Sequence, residues 1–209
     1  MKLNVKDPGS ALTHFIAMIL AALAAAPLII RAFHASGWFH AAALAVFIVS
    51  MILLYAASTI YHTFNISEHV NKILRKIDHM MIFILIAGTY TPYTLVSLRD
   101  SVGWWVFGVI WATAIVGIVL NAVSLKKFSK ISVALYLIMG WMIIIAYQPM
   151  VQAIPSGGMK LLVWGGIAYT LGAILYGIGS RKKYFHSIFH FFCLIGTVLH
   201  FLSIYLYVM

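Results

Sequence analysis

Seven apolar runs, each about as long as a bilayer is thick when coiled into a helix, occupy most of this 209-residue chain. They fall at about 11–33, 38–61, 77–98, 103–124, 131–150, 159–179 and 185–208. Backbone polar groups have no water partners in hydrocarbon, so runs of this length must satisfy themselves as helices. Hydrophobic residues make up 64% of the chain and charged residues 9%, outside the range of a soluble domain. The expected fold is an all-α membrane protein, a single seven-transmembrane helix bundle over residues 1–209. Short loops leave no room for a soluble catalytic domain, so any chemistry belongs among the helices.

The first run superficially reads as a secretory signal, with Lys2 and Lys6 ahead of an apolar stretch that contains Ala24-Ala25-Ala26. A retained helix is the better expectation. The stretch continues through Pro27, Leu28, Ile29 and Ile30, and a proline directly after a cleavage site is unfavourable. Cys193 is the single cysteine, which excludes a disulfide framework and a cysteine-based metal motif; it reads as a buried inert thiol.

A net charge of +10 could suggest nucleic acid as a partner, but the basic residues lie in loops between spans and form no stripe on a folded surface. No nucleic-acid partner is expected. Their distribution sets orientation instead. Lys2, Lys6, Lys72, Arg75, Lys76, Lys126, Lys127, Lys130, Arg181, Lys182 and Lys183 fall on one side, eleven in all, against Arg31, Arg99 and Lys160 on the other. This asymmetry predicts a cytoplasmic amino terminus and an outer carboxyl terminus.

That orientation sorts the polar residues by depth. Span 2 ends with Ser58 and His62, span 3 begins with Asp78 and His79, span 7 begins with His186 and His190, and span 1 begins with His14. All are expected within about two or three turns of the cytoplasmic boundary. Ser58 and His62 are four residues apart, as are His186 and His190, so each pair lies within about 40° on its helix. Three imidazoles can therefore meet in one interhelical cavity. Neutral imidazole is a good zinc ligand, and three histidines leave the fourth tetrahedral position open to water, as in catalytic rather than structural zinc sites. Asp78 is the only acid inside an apolar run, placed to orient or deprotonate such a water. Ser58 is placed to hydrogen-bond it or to polarise a substrate carbonyl.

Each residue also has an ordinary reading. His62, His186 and His190 are compatible with interfacial histidines bonded to neighbouring carbonyls, Ser58 with a helix-packing role, and Asp78 with neutralising Arg75 or Lys76. His79 sits about 100° around the helix from Asp78 and is left out of the metal shell. His14 has the right depth but no helical partner, which leaves it at most a residue that supports the metal ligands from behind, and His200 lies about 15 Å beyond His190, as an interhelical hydrogen-bonding residue or a lining of the upper cavity. Ala17, Ala21 and Ala25, and Ala168 with Gly172, read as close-packing surfaces. Pro92, in Gly88-Thr89-Tyr90-Thr91-Pro92-Tyr93, is expected to kink the third helix. Trp38, Trp104 and Trp105 fit an interfacial aromatic belt.

Three stretches, in order and spread across essentially the whole chain, resemble the three motifs of the hemolysin III family. They are Ser58-Thr59-Ile60-Tyr61-His62-Thr63-Phe64; Ile77-Asp78-His79 followed by Ala87-Gly88-Thr89-Tyr90-Thr91-Pro92-Tyr93; and His186-Ser187-Ile188-Phe189-His190. Ser10 through Thr13 and His14 also resembles the family's opening segment, where an acidic residue is matched loosely by Asp7. The family belongs with the progestin and adiponectin Q receptors and, more distantly, the alkaline ceramidases. The resemblance implies zinc held by His62, His186 and His190, with Asp78 contacting the metal-bound water and Ser58 nearby. It also implies a hydrolase acting on lipid amide or ester bonds, or a lipid-handling protein in membrane homeostasis. Membrane lipids are the expected partners, and a bacterial inner membrane the expected location. Two alternatives stand beside this reading: a receptor or sensor of membrane state with structural zinc, and a pore, for which no span carries a charged ring or polar stripe.

Overall fold

The computed structural model describes residues 5–179 and 185–208, with the side chains of Ile178 and His186 outside that description. Of the basic residues counted above, Lys2, Arg181, Lys182 and Lys183 lie outside the described residues. The described chain is helical throughout, as α1 (Pro8–Ser36), α2 (Trp38–Thr63), α3 (Glu68–Pro92), α4 (Gly103–Gly140), α5 (Tyr147–Ala153), α6 (Ser156–Gly179) and α7 (Phe185–Tyr207). Among the described residues, six helices are long and apolar enough to cross a membrane.

Local chemistry sets the helix ends. Asp7 caps α1, its carboxylate accepting from the Ser10 N–H at 3.5 Å, and Pro8 fills the first turn where no backbone donor is needed. Only Gly37 separates α1 from α2. Its φ of +83° turns the chain back where a side chain would be strained, and its N–H donates to Phe33 O at 2.8 Å. Ser67 caps α3 by accepting from the Val70 N–H at 3.3 Å.

The fourth and fifth expected spans share one 38-residue helix, α4, broken at a single residue, Ser124 (φ −159°, ψ 98°). Ser124 Oγ accepts from the Lys127 N–H at 3.3 Å and so starts the second limb. Asn121 and Ser132 would be roughly 16 Å apart along a straight helix. Instead Ser132 Oγ donates to Asn121 Oδ1 at 2.6 Å, and Asn121 Nδ2 donates to Tyr136 Oη at 3.3 Å, so the limbs fold back as a hairpin. Both limbs flank α3. Trp111 on the first donates to Thr91 Oγ1 (3.2 Å), and on the second Tyr136 donates to His79 O (2.7 Å). The fifth run does not stay helical to residue 150. α4 stops at Gly140, whose carbonyl accepts from Tyr90 Oη at 2.9 Å while Tyr90 Oη accepts from the Ile143 N–H at 3.0 Å. A short 3-10 turn, Met142–Ile144, and α5 follow.

Pro92 acts differently from a simple kink. The helix runs through it and widens into a π turn at Tyr93–Ser97, in which the Leu98 N–H reaches back five residues to Tyr93 O at 2.9 Å. Small residues behave as packing surfaces: Ala17, Ala21 and Ala168 are buried, and a Cβ on Gly172 would come within 3.1 Å of Phe192 Cβ. A Cβ on Gly165 would collide with the His200 ring, and one on Gly196 with Tyr169, so α6 and α7 are in near-backbone contact.

α1 packs on α2, α2 on α3, α3 on α4 and α6 on α7, and α7 closes back against α1. α4 and α6 meet only sparsely. Leu12, Leu20, Leu23, Val119, Val123 and Trp164 project outward, as they would toward lipid, and Trp38, Trp104 and Trp105 are exposed at the end opposite the start of α1.

Candidate functional site

Four helix ends meet where α1 begins, α2 finishes, α3 begins and α7 begins. Each buries polar side chains there: His14 from α1, Ser58 and His62 from α2, Asp78 from α3 and His190 from α7. Unpaired, such groups would each cost several kcal/mol in an apolar interior, on the order of a lost hydrogen bond or more. Their concentration at one end of the bundle is therefore a property of a site, not of packing.

The imidazoles are in contact. The His62 and His190 rings lie 4.7 Å apart at 83°, and the His14 and His190 rings 4.2 Å apart at 76°. His14 Nε2 and His190 Nδ1 share a hydrogen bond of 2.8 Å. His62 Nδ1 lies 3.5 Å from Asp7 Oδ2, and the Asp7 backbone N–H donates to His62 O at 3.0 Å. The His14 ring also meets the edge of Tyr55 at 5.0 Å.

Asp78 faces this group from α3. Its Oδ2 is 3.6 Å from His79 Nδ1, which is also 3.0 Å from Arg75 O. Among the described residues neither Arg75 nor Lys76 forms an ion pair with Asp78; Lys76 Nζ donates to Ala122 O at 2.7 Å. The Ser58 hydroxyl is fully buried, bonds no carbonyl of its own helix, and faces the Asp78 carboxylate.

A cavity of about 180 Å³ opens from these residues into the bundle. His14, Ser58, Asp78 and His190 line one end, and Tyr93, Leu162 and His200 lie toward the other. Between them the wall is mostly apolar, with Ile82, Leu85, Ile86, Val133 and Leu137 among its residues. The hydroxyls of Tyr55 and Tyr169, which meet at Thr197 Oγ1, interrupt it (2.7 Å from Tyr55). The cavity lies along the α4–α6 seam, where Trp141 and Gly166 also face it.

The structure thus brings Ser58, His62, Asp78 and His190 together, while the side chain of His186 lies outside the described residues. Its backbone sits one turn before His190 on α7. Among the described residues no set of three or more His, Cys, Asp or Glu side chains is arranged as a metal-binding group. His79 borders the cavity beside Asp78. His200 both lines the cavity and bonds Leu162 O at 3.1 Å.

Asp7 is the residue the sequence reading left out. As the cap of α1 it stands three residues before Ser10 and seven before His14, on the same side of the helix within an arc of about 60°. Ser10 Oγ donates to Asp7 Oδ2 at 2.7 Å. That spacing was legible, but Asp7 precedes the apolar run and reads as part of the tail.

An all-helical protein of membrane-spanning helices, with a buried His, Asp and Ser cluster at the end of an apolar cavity, is the class that fold and site define. Residues 3–201 match the model of the Haemolysin-III related family, and the chain belongs to that family. It is 39% identical over 207 residues to hemolysin-3 of Bacillus cereus, covering 98% of this chain and 92% of that protein. It is 37% identical over 202 residues to the hemolysin-3 homolog of Bacillus subtilis (strain 168), covering 97% and 94%. The chain is therefore an integral membrane protein of hemolysin III type.

Proposed function

We propose that the protein is a zinc-dependent hydrolase of lipid amide or ester bonds, working in lipid homeostasis of a bacterial inner membrane with its amino terminus in the cytoplasm. One observation carries the reading: a buried carboxylate, Asp78, a buried hydroxyl facing it, Ser58, and the paired His62 and His190 stand at the end of a largely apolar cavity. The cavity supplies a place for acyl chains, and the cluster supplies polar chemistry for the group that joins them.

The residues fit zinc. The His62 and His190 rings meet edge to face, His186 stands one turn from His190, and Ser58 and Asp78 face the same group. These three histidines would hold the ion, leaving one tetrahedral position open. When bound, zinc supplies a water nucleophile that ionises near neutral pH and a Lewis acid for the substrate carbonyl. Asp78, buried beside Ser58 and His79, would be the group to orient a water there and to take its proton. Ser58 donates a hydrogen bond to the oxygen on which negative charge develops. The apolar wall excludes water from the chain-binding part of the cavity, and the sparse α4–α6 seam gives lipid a lateral way in.

The test is to purify the protein, measure its bound metal, and follow hydrolysis of ceramide-like and phospholipid substrates by wild type and Asp78→Ala. Zinc with turnover that depends on Asp78 supports the proposal. Zinc without turnover in any form favours a membrane-state receptor with structural zinc, and zinc-free wild type defeats both. Ion flux through liposomes carrying the protein would favour a pore, a reading that the apolar lining opposes.

A further inference from the structure

We infer that the opening segment of α1, Asp7 through His14, is a positioning clamp that orients the two histidines by holding the same atom, Nδ1, on each. Asp7 addresses Nδ1 of His62 at 3.5 Å, and His14 addresses Nδ1 of His190 at 2.8 Å. The inference rests on the zinc reading above.

The geometry has three parts. Asp7 and His14 are seven residues apart and so project from one face of the helix, about 20° from eclipsed. Asp7 is itself pinned, because Ser10 Oγ donates to it at 2.7 Å, Ser187 Oγ from α7 at 3.4 Å, and its own N–H donates to His62 O at 3.0 Å. His14 is buried, with 3% of its surface exposed, and its ring is braced against Tyr55. About two helix turns therefore tie α1 to the end of α2 and the start of α7, the two helices that carry His62 and His190.

Chemistry gives the clamp its purpose. A histidine that ligates a metal commonly gives its other ring N–H to a carboxylate or another acceptor, which fixes the tautomer and the ring plane and strengthens the ligating nitrogen. The Asp7 carboxylate lies 3.5 Å from His62 Nδ1, an ion-pair distance rather than a hydrogen bond, and its charge favours a proton on that nitrogen. His14 Nε2 and His190 Nδ1 share one hydrogen bond of 2.8 Å, which fixes the His190 ring plane whichever of the two nitrogens carries the proton. Rings held at Nδ1 in this way would present Nε2 to a metal. Asp7 and His14 are not ligands, and their effect on a bound metal acts through His62 and His190.

The experiment uses the full-length purified protein and reads metal binding rather than turnover. Zinc affinity is measured by chelator competition, and the site is substituted with Co²⁺ so that its visible absorption reports ligand geometry. His14→Phe and Asp7→Ala should weaken zinc binding by about 10- to 100-fold and alter the Co²⁺ spectrum. His14→Gln, which retains an acceptor, should recover most of the affinity. Asp7→Asn keeps the helix cap, so it should restore thermal stability while leaving affinity below wild type. Loss of stability in Asp7→Ala with wild-type affinity and spectrum in Asp7→Asn and His14→Phe would overturn the clamp and leave the zinc site standing. Wild type that binds neither zinc nor Co²⁺ would overturn the zinc reading, and the clamp with it.

Discussion

At the residue scale, Ser58 differs from an ordinary packing serine in what its buried hydroxyl faces, the Asp78 carboxylate of α3. A serine used only for packing bonds a carbonyl of its own helix, as Ser50 does with Phe47 O at 2.6 Å. Ser58 makes no such bond among the described residues. Ser58→Ala should therefore lower kcat by about 10²- to 10³-fold, the usual cost of one oxyanion donor, with zinc content and thermal stability unchanged. An unchanged kcat in a lipid-hydrolysis assay would return Ser58 to a packing role. Depth and helical spacing made Ser58, His62, Asp78 and His190 legible before any coordinates, because in hydrocarbon each imidazole or carboxylate must find company. The partner of each was not legible. Nothing in the spacing tells that His14 bonds His190, since that contact joins residues 176 apart in the chain.

At the element scale, the least expected feature is α4, two limbs joined at Ser124 with almost no loop between them. The sequence suggested a linker between 124 and 131 because three lysines lie there, but Ser124 caps the second limb so early that the lysines become helical. The hairpin depends on Asn121, which is fully buried and bonded to both Ser132 and Tyr136. Asn121→Ala would remove the tie between the limbs, leaving Ser132 Oγ bonded only to Phe128 O of its own limb at 3.1 Å, and would loosen the wall behind Asp78, because Tyr136 also bonds His79 O. The expected loss is about 1–3 kcal/mol of stability, read as a lower unfolding midpoint in detergent. An unchanged midpoint would mean that the limbs are held by apolar packing alone. Pro92 gives the complementary lesson. Its missing donor was evident from sequence, but whether the chain kinks or widens into a π turn depends on what packs at Tyr93, which is fully buried.

At the scale of the molecule, the apolar runs made the helical membrane fold plain, while the order of neighbours around the bundle came only with the structure. Hydropathy carries no information on which helix closes against which. The tight α6–α7 pair is set by small residues such as Gly165 and Gly196 meeting His200 and Tyr169. Orientation is testable independently. With Cys193 replaced by serine, a cysteine at Lys127 should react with a membrane-impermeant thiol reagent only after cells are opened, and one at Ser101 should react on intact cells. The reverse pattern would contradict the charge-based topology.

The account stands or falls on whether Asp78 works with a metal at the end of the cavity. The most direct measurement is release of fatty acid from a ceramide-like or phospholipid substrate by wild type and Asp78→Asn, each with its zinc content determined. The expected result is one zinc per chain in both and turnover lower by about 10²- to 10⁴-fold in the variant. Equal turnover at equal zinc, or no turnover by zinc-loaded wild type, would contradict it.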